Sequence, residues 1–485
     1  MEWHIKTYKN YILGQWVSSH TGRTYEVLSP INNEISSVVQ LSDREDAKAA
    51  IDAAREAFDK SDWPYNHWLR HDALLSMAMV LERHFDEMAR LLSIETGKPI
   101  RESRSEVKGS IDMLRYAASM TVNIFGRSMY HSKSEVGLVV REPLGVVGII
   151  TPWNWPITLL VRSLAPALAM GNTVVIKPAS YASGVVARFI ELISEEVKNI
   201  PPGTINFVTG PGDTVGDELV INKNVDAIAF TGETKTGIEI MRRAADTLKK
   251  LILELGGKSP NVVFMDADFD LAVKTAINGV FITSGQVCFA TTRLLVDDTI
   301  HDKFLDHMVN IVKSLKVGNP LNEDTDIGPV ISKSQMKRIM DYIEIGKKDA
   351  KLIVGGYALT NGEYAKGNYI APTIFDDVPP TSRVYQEEIF GPVLSVTRFK
   401  SIDEAIELAN NTQYGLAAVV FTRDINKALK IAKGVKAGTI WVNTFGKHYP
   451  WAESGGYKYS GIGRQRGLDG YYAFTQTKHI LINLQ

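Results

Sequence analysis

Apolar residues follow two rhythms along the chain, and the places where the rhythm changes mark its elements. Between residues 10 and 40, short segments such as Tyr11-Ile12-Leu13 and Ile35 to Leu41 are broken by Gly14, Gly22 and Ser29-Pro30, which predicts edge strands and turns. From Asp43 the spacing becomes three and four, through Ala47, Ala50, Ile51, Ala54 and Phe58. This predicts an amphipathic helix capped by Ser42 or Asp43. Two or three further helices extend to about residue 123, interrupted at Trp63-Pro64 and Gly97-Lys98-Pro99. Residues 128–144 alternate again through Val136, Leu138 and Val140, as expected of a hairpin that serves subunit contact.

Beyond Gly145 the rhythm is strand, loop, helix. Val146 to Ile150 is a continuous apolar run that stops at Thr151-Pro152-Trp153-Asn154-Trp155-Pro156, and a helical segment from Ile157 to Met170 follows. Thr173 to Ile176 stops at Lys177-Pro178 before a helix over 183–198. Ile205 to Val208 stops at Thr209-Gly210-Pro211-Gly212, and Ala227 to Phe230 stops at Thr231-Gly232. Continuous apolar runs mark strands covered on both faces. Four such units predict a parallel, helix-covered α/β sheet with ligands at the carboxyl ends of its strands. A second alternation over about 256–440 predicts another α/β domain, with strands at 261–264, 292–296, 393–398 and 417–421. Phe474 to Leu484 reads as a strand, expected to complete a partner's sheet together with the 128–144 hairpin.

Composition narrows the classes. At 485 residues the chain is too long for one core, so two or three domains are expected. A net charge of −1 gives no electrostatic reason to seek nucleic acid or an anionic membrane. Met1 to Lys6 carries no signal-peptide pattern, and no apolar run approaches the ~18 residues of a membrane span. Cys288 is the only cysteine, which excludes an internal disulfide and a Cys-cluster zinc site. Together these features point to a reducing, cytoplasmic setting.

The strand ends hold the candidate chemistry. Cys288, in Gly285-Gln286-Val287-Cys288, is either a small buried hydrophobe or a nucleophile. Asn154 lies between two tryptophans and two prolines, where its amide suits an oxyanion or simply a turn. Lys177 sits at a strand end where a dinucleotide's ribose or phosphate would lie. Phe230-Thr231-Gly232-Glu233-Thr234 joins a strand to a helix N-terminus that can face a pyrophosphate, although it lacks the Gly-x-Gly-x-x-Gly fingerprint. Glu254, in Leu253-Glu254-Leu255-Gly256-Gly257-Lys258-Ser259-Pro260, has apolar neighbours that raise a carboxyl pKa toward the range of a general base; the alternative is a capping or salt-bridged Glu. Glu388 and Phe390, in Glu387-Glu388-Ile389-Phe390-Gly391-Pro392, pair an acid with a flat ring.

Taken in order, Pro-Trp-Asn-Trp-Pro, Phe-Thr-Gly-x-Thr, Glu-Leu-Gly-Gly-Lys-Ser-Pro, Gly-Gln-x-Cys, Glu-Glu-Ile-Phe-Gly-Pro-Val and the closing Tyr459-Ser460-Gly461-Ile462-Gly463-Arg464 resemble the aldehyde dehydrogenase superfamily over nearly the whole chain. The resemblance implies a Rossmann-type dinucleotide-binding domain (1–127 and 146–255), an α/β catalytic domain (256–440) and a small β oligomerisation element (128–145 and 465–485). It implies a homo-oligomer, dimer or tetramer. The implied catalytic set is Cys288 as nucleophile, Glu254 as general base, Asn154 as oxyanion donor, and Lys177. The implied cofactor residues are Ile150, Trp153, Lys177, Ser180, Gly212, Phe230, Thr231, Gly232, Glu233, Leu255, Glu388 and Phe390.

Ser180 stands where many NAD-preferring members carry Glu, so NADP is expected to be taken in preference to NAD. Glu233 replaces a common Ser and weighs against a phosphate contact there. The implied substrate pocket is Trp155, Leu159, Arg162, Ile282, Val287, Phe289 and the segment 445–453. Arg162 resembles members that take lactaldehyde, glyceraldehyde or succinate semialdehyde, whereas Ile282 replaces the second Arg of the last group. A small hydroxyaldehyde such as lactaldehyde or glyceraldehyde is therefore the expected substrate, with a succinate-semialdehyde or broad-specificity enzyme as the alternative. A CoA-acylating enzyme and a catalytically idle structural homologue are the remaining rivals, and the intact Glu254 segment and the retained Cys288, Glu254 and Asn154 weigh against them.

Overall fold

A computed structural model describes residues 5–485. Residues 1–4, on which the reading of a leaderless N-terminus rests, lie outside that range. Before helix α1 (Arg44–Lys60) the chain forms an antiparallel pair, β1 (Asn10–Ile12) and β2 (Gln15–Val17), and a small sheet of Lys6–Thr7, Thr24–Leu28 and Ile35–Gln40. Asp43 caps α1, accepting from the Glu45 and Asp46 amides, while the Asp46 carboxylate accepts from the Asp43 amide. That reciprocal pairing satisfies donors the first turn would otherwise leave free. Helices over 67–83 and 85–96 lead to α2 (Ile100–Met120). The hairpin β3 (Arg127–Tyr130) and β4 (Glu135–Pro143) then leaves the helical layer.

The first sheet is built by β5 (Val146–Ile150), α3 (Pro156–Ala169), β6 (Thr173–Lys177), α4 (Ser183–Glu196), β7 (Ile205–Phe207), β8 (Ala227–Thr231), α5 (Thr234–Ala244) and β9 (Lys250–Glu254). Its five parallel strands lie in the order β9-β8-β5-β6-β7, with β1 and β2 antiparallel beyond β7. Neighbours along the apolar runs go to opposite faces. Val147, Ile149 and Ile176 enter one core, and Val146, Val175 and Ile228 the other. The chain runs outward from β5 to β7 and then returns to β8 on the far side of β5. That reversal opens a crevice at the carboxyl ends of β5 and β8, where open α/β sheets bind ligands.

The second sheet is formed by β10 (Pro260–Val263), β11 (Arg293–Asp297), β12 (Lys351–Val354), β13 (Thr373–Asp376), β14 (Val393–Phe399), β15 (Ala417–Phe421) and β16 (Thr439–Val442). Its order is β12-β13-β14-β11-β10-β15-β16, parallel apart from the edge strand β12. Helix α6 (Phe269–Phe281) connects β10 to the Cys288 loop. The chain then crosses back: β17 (Gly461–Ile462) pairs antiparallel with β9.

Residues 465–474, expected in the oligomerisation element, pack against the first sheet's helical layer. Helix α7 (Gly467–Tyr472) packs on α3, and Tyr471 and Phe474 are buried in the same core as Val147 and Leu164. Only β18 (Thr475–Asn483) continues outward, pairing with β4 in the same chain to make a three-stranded antiparallel sheet with β3.

One buried charge pair ties these layers together. Lys98 and Glu106 form an ion pair with neither side chain exposed to solvent. Glu106 Oε1 also accepts from the Ile157 and Thr158 amides at 2.8 and 3.1 Å, capping the N-terminus of α3. Removing one member of a buried pair leaves an uncompensated charge, so Glu106→Ala is expected to cost about 3–5 kcal/mol. A clear drop in thermal unfolding midpoint checks this, and the double change Lys98→Met/Glu106→Leu should lose less than Glu106→Ala alone.

Candidate active site

Cys288 is reached through an unusual turn. After α6, Thr283 (φ 49°), Ser284 (φ 56°) and Gly285 (φ 75°) all take left-handed backbone conformations. For Thr and Ser this conformation is strained and persists only where the surroundings fix it. Glu102 on α2 supplies much of that fixing, since its Oε2 accepts from Thr283 N at 2.9 Å and from Thr283 Oγ1 at 2.7 Å. Ser284 Oγ donates to Gly328 O at 2.7 Å, and the Trp155 indole donates to Thr283 Oγ1 at 3.1 Å. A Cβ at Gly285 would lie 2.1 Å from Gly391 O, so glycine is required there.

The opposite walls come from strand ends of the first sheet. Asn154, after β5, is buried and donates one amide hydrogen to Gln286 O at 2.9 Å, leaving the other for a ligand. Glu254 is the last residue of β9, and Leu255 separates it from two glycines. A Cβ at Gly257 would sit 2.3 Å from Cys288 O, so this glycine lets the β9 extension touch the Cys288 loop. Glu388 Oε1 accepts from Gly257 N at 3.0 Å and packs against the same turn.

Cys288, Glu254 and Asn154 thus line one cavity of about 750 Å³, together with Trp155, Leu159 and Arg162. Cys288 itself is half-buried. Burial pushes its thiol up to about 12, only partly opposed by the Arg162 cation. Burial also raises the Glu254 carboxyl, against the pull of Arg162, Arg466 and Arg464. Glu254 Oε1 has no hydrogen-bond partner among the described residues, and Oε2 lies 3.9 Å from Arg162 Nη1. A thiol beside a carboxylate with an unspent oxygen is an arrangement for nucleophilic addition followed by water activation.

Comparison with known proteins agrees with this geometry. Residues 16–480 match the model of the aldehyde dehydrogenase family. The chain is 42% identical to betaine aldehyde dehydrogenase of Bacillus subtilis (strain 168), covering 98% of this chain and 97% of that one. The chain belongs to the aldehyde dehydrogenase family. It is 37% identical to hydroxyisobutyraldehyde dehydrogenase of Mycolicibacterium austroafricanum, over 98% and 94% of the two chains. The crystal structure of Staphylococcus aureus betaine aldehyde dehydrogenase in complex with NAD+ superposes with a TM-score of 0.96 at 39% identity, over 98% of this chain and 95% of that one.

The other residues named from sequence divide among three places in this aldehyde dehydrogenase. Ile282, Val287, Phe289 and Phe445 line the cavity with Cys288, as do His448 and Trp451, whereas Glu453 turns away to accept from Leu468 N at 2.8 Å. Ile150, Gly212, Phe230, Glu233 and Glu388 line a second groove of about 970 Å³ beside α5. Trp153 and Phe390 pack edge to face at 5.4 Å. Thr231 is buried behind the first cavity's wall, where its Oγ1 accepts from Arg162 Nη2 at 3.0 Å. Gly232 packs against the Phe230 ring, and the Leu255 side chain fills the space over Gly237. Glu233 is exposed, 3.6 Å from Arg338, and gives α5 no side-chain cap.

Lys177 is not an open cation at the sheet edge. It is buried, donates to Pro178 O at 2.9 Å, and burial lowers its ammonium to about 8. Ser180 opens a short 3-10 turn beyond it. Two functional positions have no motif to announce them. Glu102 lies in the first turn of α2, and Arg466 enters the Cys288 cavity from the turn before α7.

The raised thiol pKa has a direct consequence in the cofactor-free protein. The thiolate is the reactive form, and well below the pKa its fraction grows tenfold per pH unit. Alkylation of Cys288 by iodoacetamide should therefore climb about tenfold per pH unit from pH 7 to 9. A plateau by pH 8 would show that the thiol is already ionised.

Proposed function

We propose that this aldehyde dehydrogenase oxidises a small aldehyde with a polar tail to the carboxylic acid, using NAD or NADP as hydride acceptor. The observation that carries the reading is the convergence of half-buried Cys288, the unspent Glu254 oxygen and the Asn154 amide on one cavity.

The chain's own groups divide the work. The Cys288 sulfur bonds to the aldehyde carbon as its proton leaves to solvent or Glu254, and the carbonyl oxygen becomes an oxyanion. The free Asn154 amide hydrogen and the Cys288 backbone N–H stabilise that charge, which a trigonal aldehyde lacks. When bound, the dinucleotide supplies the hydride acceptor. Cys288 then holds a thioester until Glu254 takes a proton from water. The hydroxyl adds, the C–S bond breaks, and acid and thiolate separate.

The groove beside α5 fits a dinucleotide. A Cβ at Gly212 would meet nothing within 4 Å, which leaves backbone open to a phosphate, and Glu388 lines the same groove, where its carboxylate can take a ribose. The NAD+ complex of the Staphylococcus aureus relative supports a nicotinamide cofactor. NADP is favoured over NAD here because Ser180, unlike a Glu, carries no charge to repel a 2′-phosphate.

Hydroxyisobutyraldehyde, named for one relative, is a hydroxyaldehyde of the class expected from Arg162, whereas betaine aldehyde carries a cation that Arg162 would repel. The exposed Ile480, Leu481 and Ile482 on β18 support a homo-oligomer, dimer or tetramer.

Cys288→Ala should abolish aldehyde-dependent reduction of the cofactor. Glu254→Gln should release one equivalent of reduced cofactor per site and then turn over about a hundredfold more slowly. Wild-type turnover in Cys288→Ala would overturn the mechanism. A Ser180→Glu change should lower kcat/KM for NADP relative to NAD by about tenfold or more, since like charges would then face each other. Steady-state assays with both cofactors check that ratio.

A further inference from the structure

We propose that Arg466, together with Arg162, forms an anion subsite in the Cys288 cavity, so that the preferred aldehyde is an oxo acid carrying a carboxylate tail. This deepens the reading of the cavity as an aldehyde-oxidising site and rests on it.

The two arginines come from separate elements, α3 and the turn before α7, and line the same cavity as Cys288 and Glu254. Their donors are largely unspent. A guanidinium carries five N–H groups. Arg162 uses Nη2 on Thr231 Oγ1 at 3.0 Å, and its buried Nε has no partner among the described residues. For Arg466 the one hydrogen bond among the described residues is from Nη1 to Ser454 Oγ at 3.3 Å. Both partners are neutral hydroxyls.

The surrounding charges do not balance the pair. Glu254 is the one carboxylate close to Arg162, and burial drives it toward its neutral form. Asp112 and Arg115, which also line the cavity, are paired with Lys108 at 2.5 Å and with Glu82 at 2.6 Å. His448 is held neutral by burial and by the two arginines themselves. Burial, and then the neighbouring Arg162 cation, pull the Arg466 guanidinium down to about 9, so it remains a cation at neutral pH. Its backbone is also strained, at φ 57° and ψ −178°. The turn is pinned by Gly467 N donating to Pro450 O at 2.9 Å and by the paired backbone bonds of Ser454 and Gln465 at 2.8 Å. A strained non-glycine residue that delivers an under-bonded cation into a substrate cavity is arranged for a ligand.

A carboxylate meets this arrangement better than a hydroxyl does. It can accept from both guanidinia at once, and its charge supplies what Glu254 does not. Ile282 therefore does not argue against an acidic substrate, because the second cation arrives from residue 466. A trimethylammonium tail would face two cations and is disfavoured.

The test compares tails of equal length. On the wild-type enzyme, kcat/KM for 4-oxobutanoate and 5-oxopentanoate should exceed that for butanal and pentanal by about a hundredfold, and trimethylammonio-acetaldehyde should be the poorest. In Arg466→Met the ratio of 4-oxobutanoate to butanal should fall at least about tenfold, mostly through KM, with Arg466→Lys recovering part of it. Binding of succinate to the resting enzyme by calorimetry reads the subsite without chemistry and should weaken in Arg466→Met. A wild-type preference for butanal, or an unchanged ratio in both variants, overturns the subsite. Succinate binding without oxidation of any aldehyde would instead overturn the reading of the reaction.

Discussion

The site depends on a strained turn being held from outside. Thr283 and Ser284 occupy left-handed backbone that neither residue favours, and nothing in their own sequence would keep them there. Helix α2 does so by sending Glu102 into the turn and Glu106 into the N-terminus of α3, one helical turn apart on the same face. One helix therefore positions both the loop that carries Cys288 and the segment that carries Asn154. Lys98 compensates the charge of Glu106 and lies over the Trp155 ring at 4.3 Å, so the apolar wall of the cavity rests on the same buried cluster. Buried charges of this kind add little net stability compared with apolar packing, but their directional bonds admit few alternative arrangements. That suits a site in which two domains must meet with their reacting groups in register.

The glycines beside the site serve the same meeting. Gly257 permits the extension of β9 to touch the carbonyl of Cys288, and Gly285 permits the Cys288 loop to press against Gly391. The seam between the sheets is thereby closed by backbone contact, and the side chains of Glu254 and Cys288 are left facing the cavity. The cost of that burial is electrostatic. Desolvation raises the Cys288 thiol and the Glu254 carboxyl alike, so both groups are pushed toward their neutral forms. Reactivity then depends on what enters the cavity, because an added dipole or charge is weakly screened there.

Much of this was legible from residue order. Continuous apolar runs announced β5 to β8 because a parallel strand is covered on both faces, and the residues just beyond them, Asn154 and Thr231, fall at the crevice where β5 and β8 part. β9 was obscured because its charged start, Lys250, and its closing Glu254 frame only three apolar residues. The return of residues 461–474 to the first sheet was hidden for a different reason. β17 is two residues long and α7 six, too short for any period to show, and their placement is decided by pairing with β9 and packing on α3. Glu102 was invisible because a carboxylate on an amphipathic helix reads as a solvated face, and only the fold puts the Thr283 turn against it.

Arg466 shows where motif reasoning ends. The closing Gly461-Ile462-Gly463-Arg464 carries the family resemblance, and the residue two places on falls in the stretch expected to serve oligomerisation. Once β17 is fixed on β9, the chain must turn back over the cavity mouth, and the turn's geometry gives residue 466 a positive φ that aims its side chain inward. The same residue on an outer strand would be one more solvated cation. Inside the cavity it changes the charge beside Glu254 and Cys288, and with it the kind of molecule the site can hold. The charge lining this cavity is thus set partly by topology: a two-residue strand pairing, distant from Cys288 in sequence, precedes the turn that brings a cation into it.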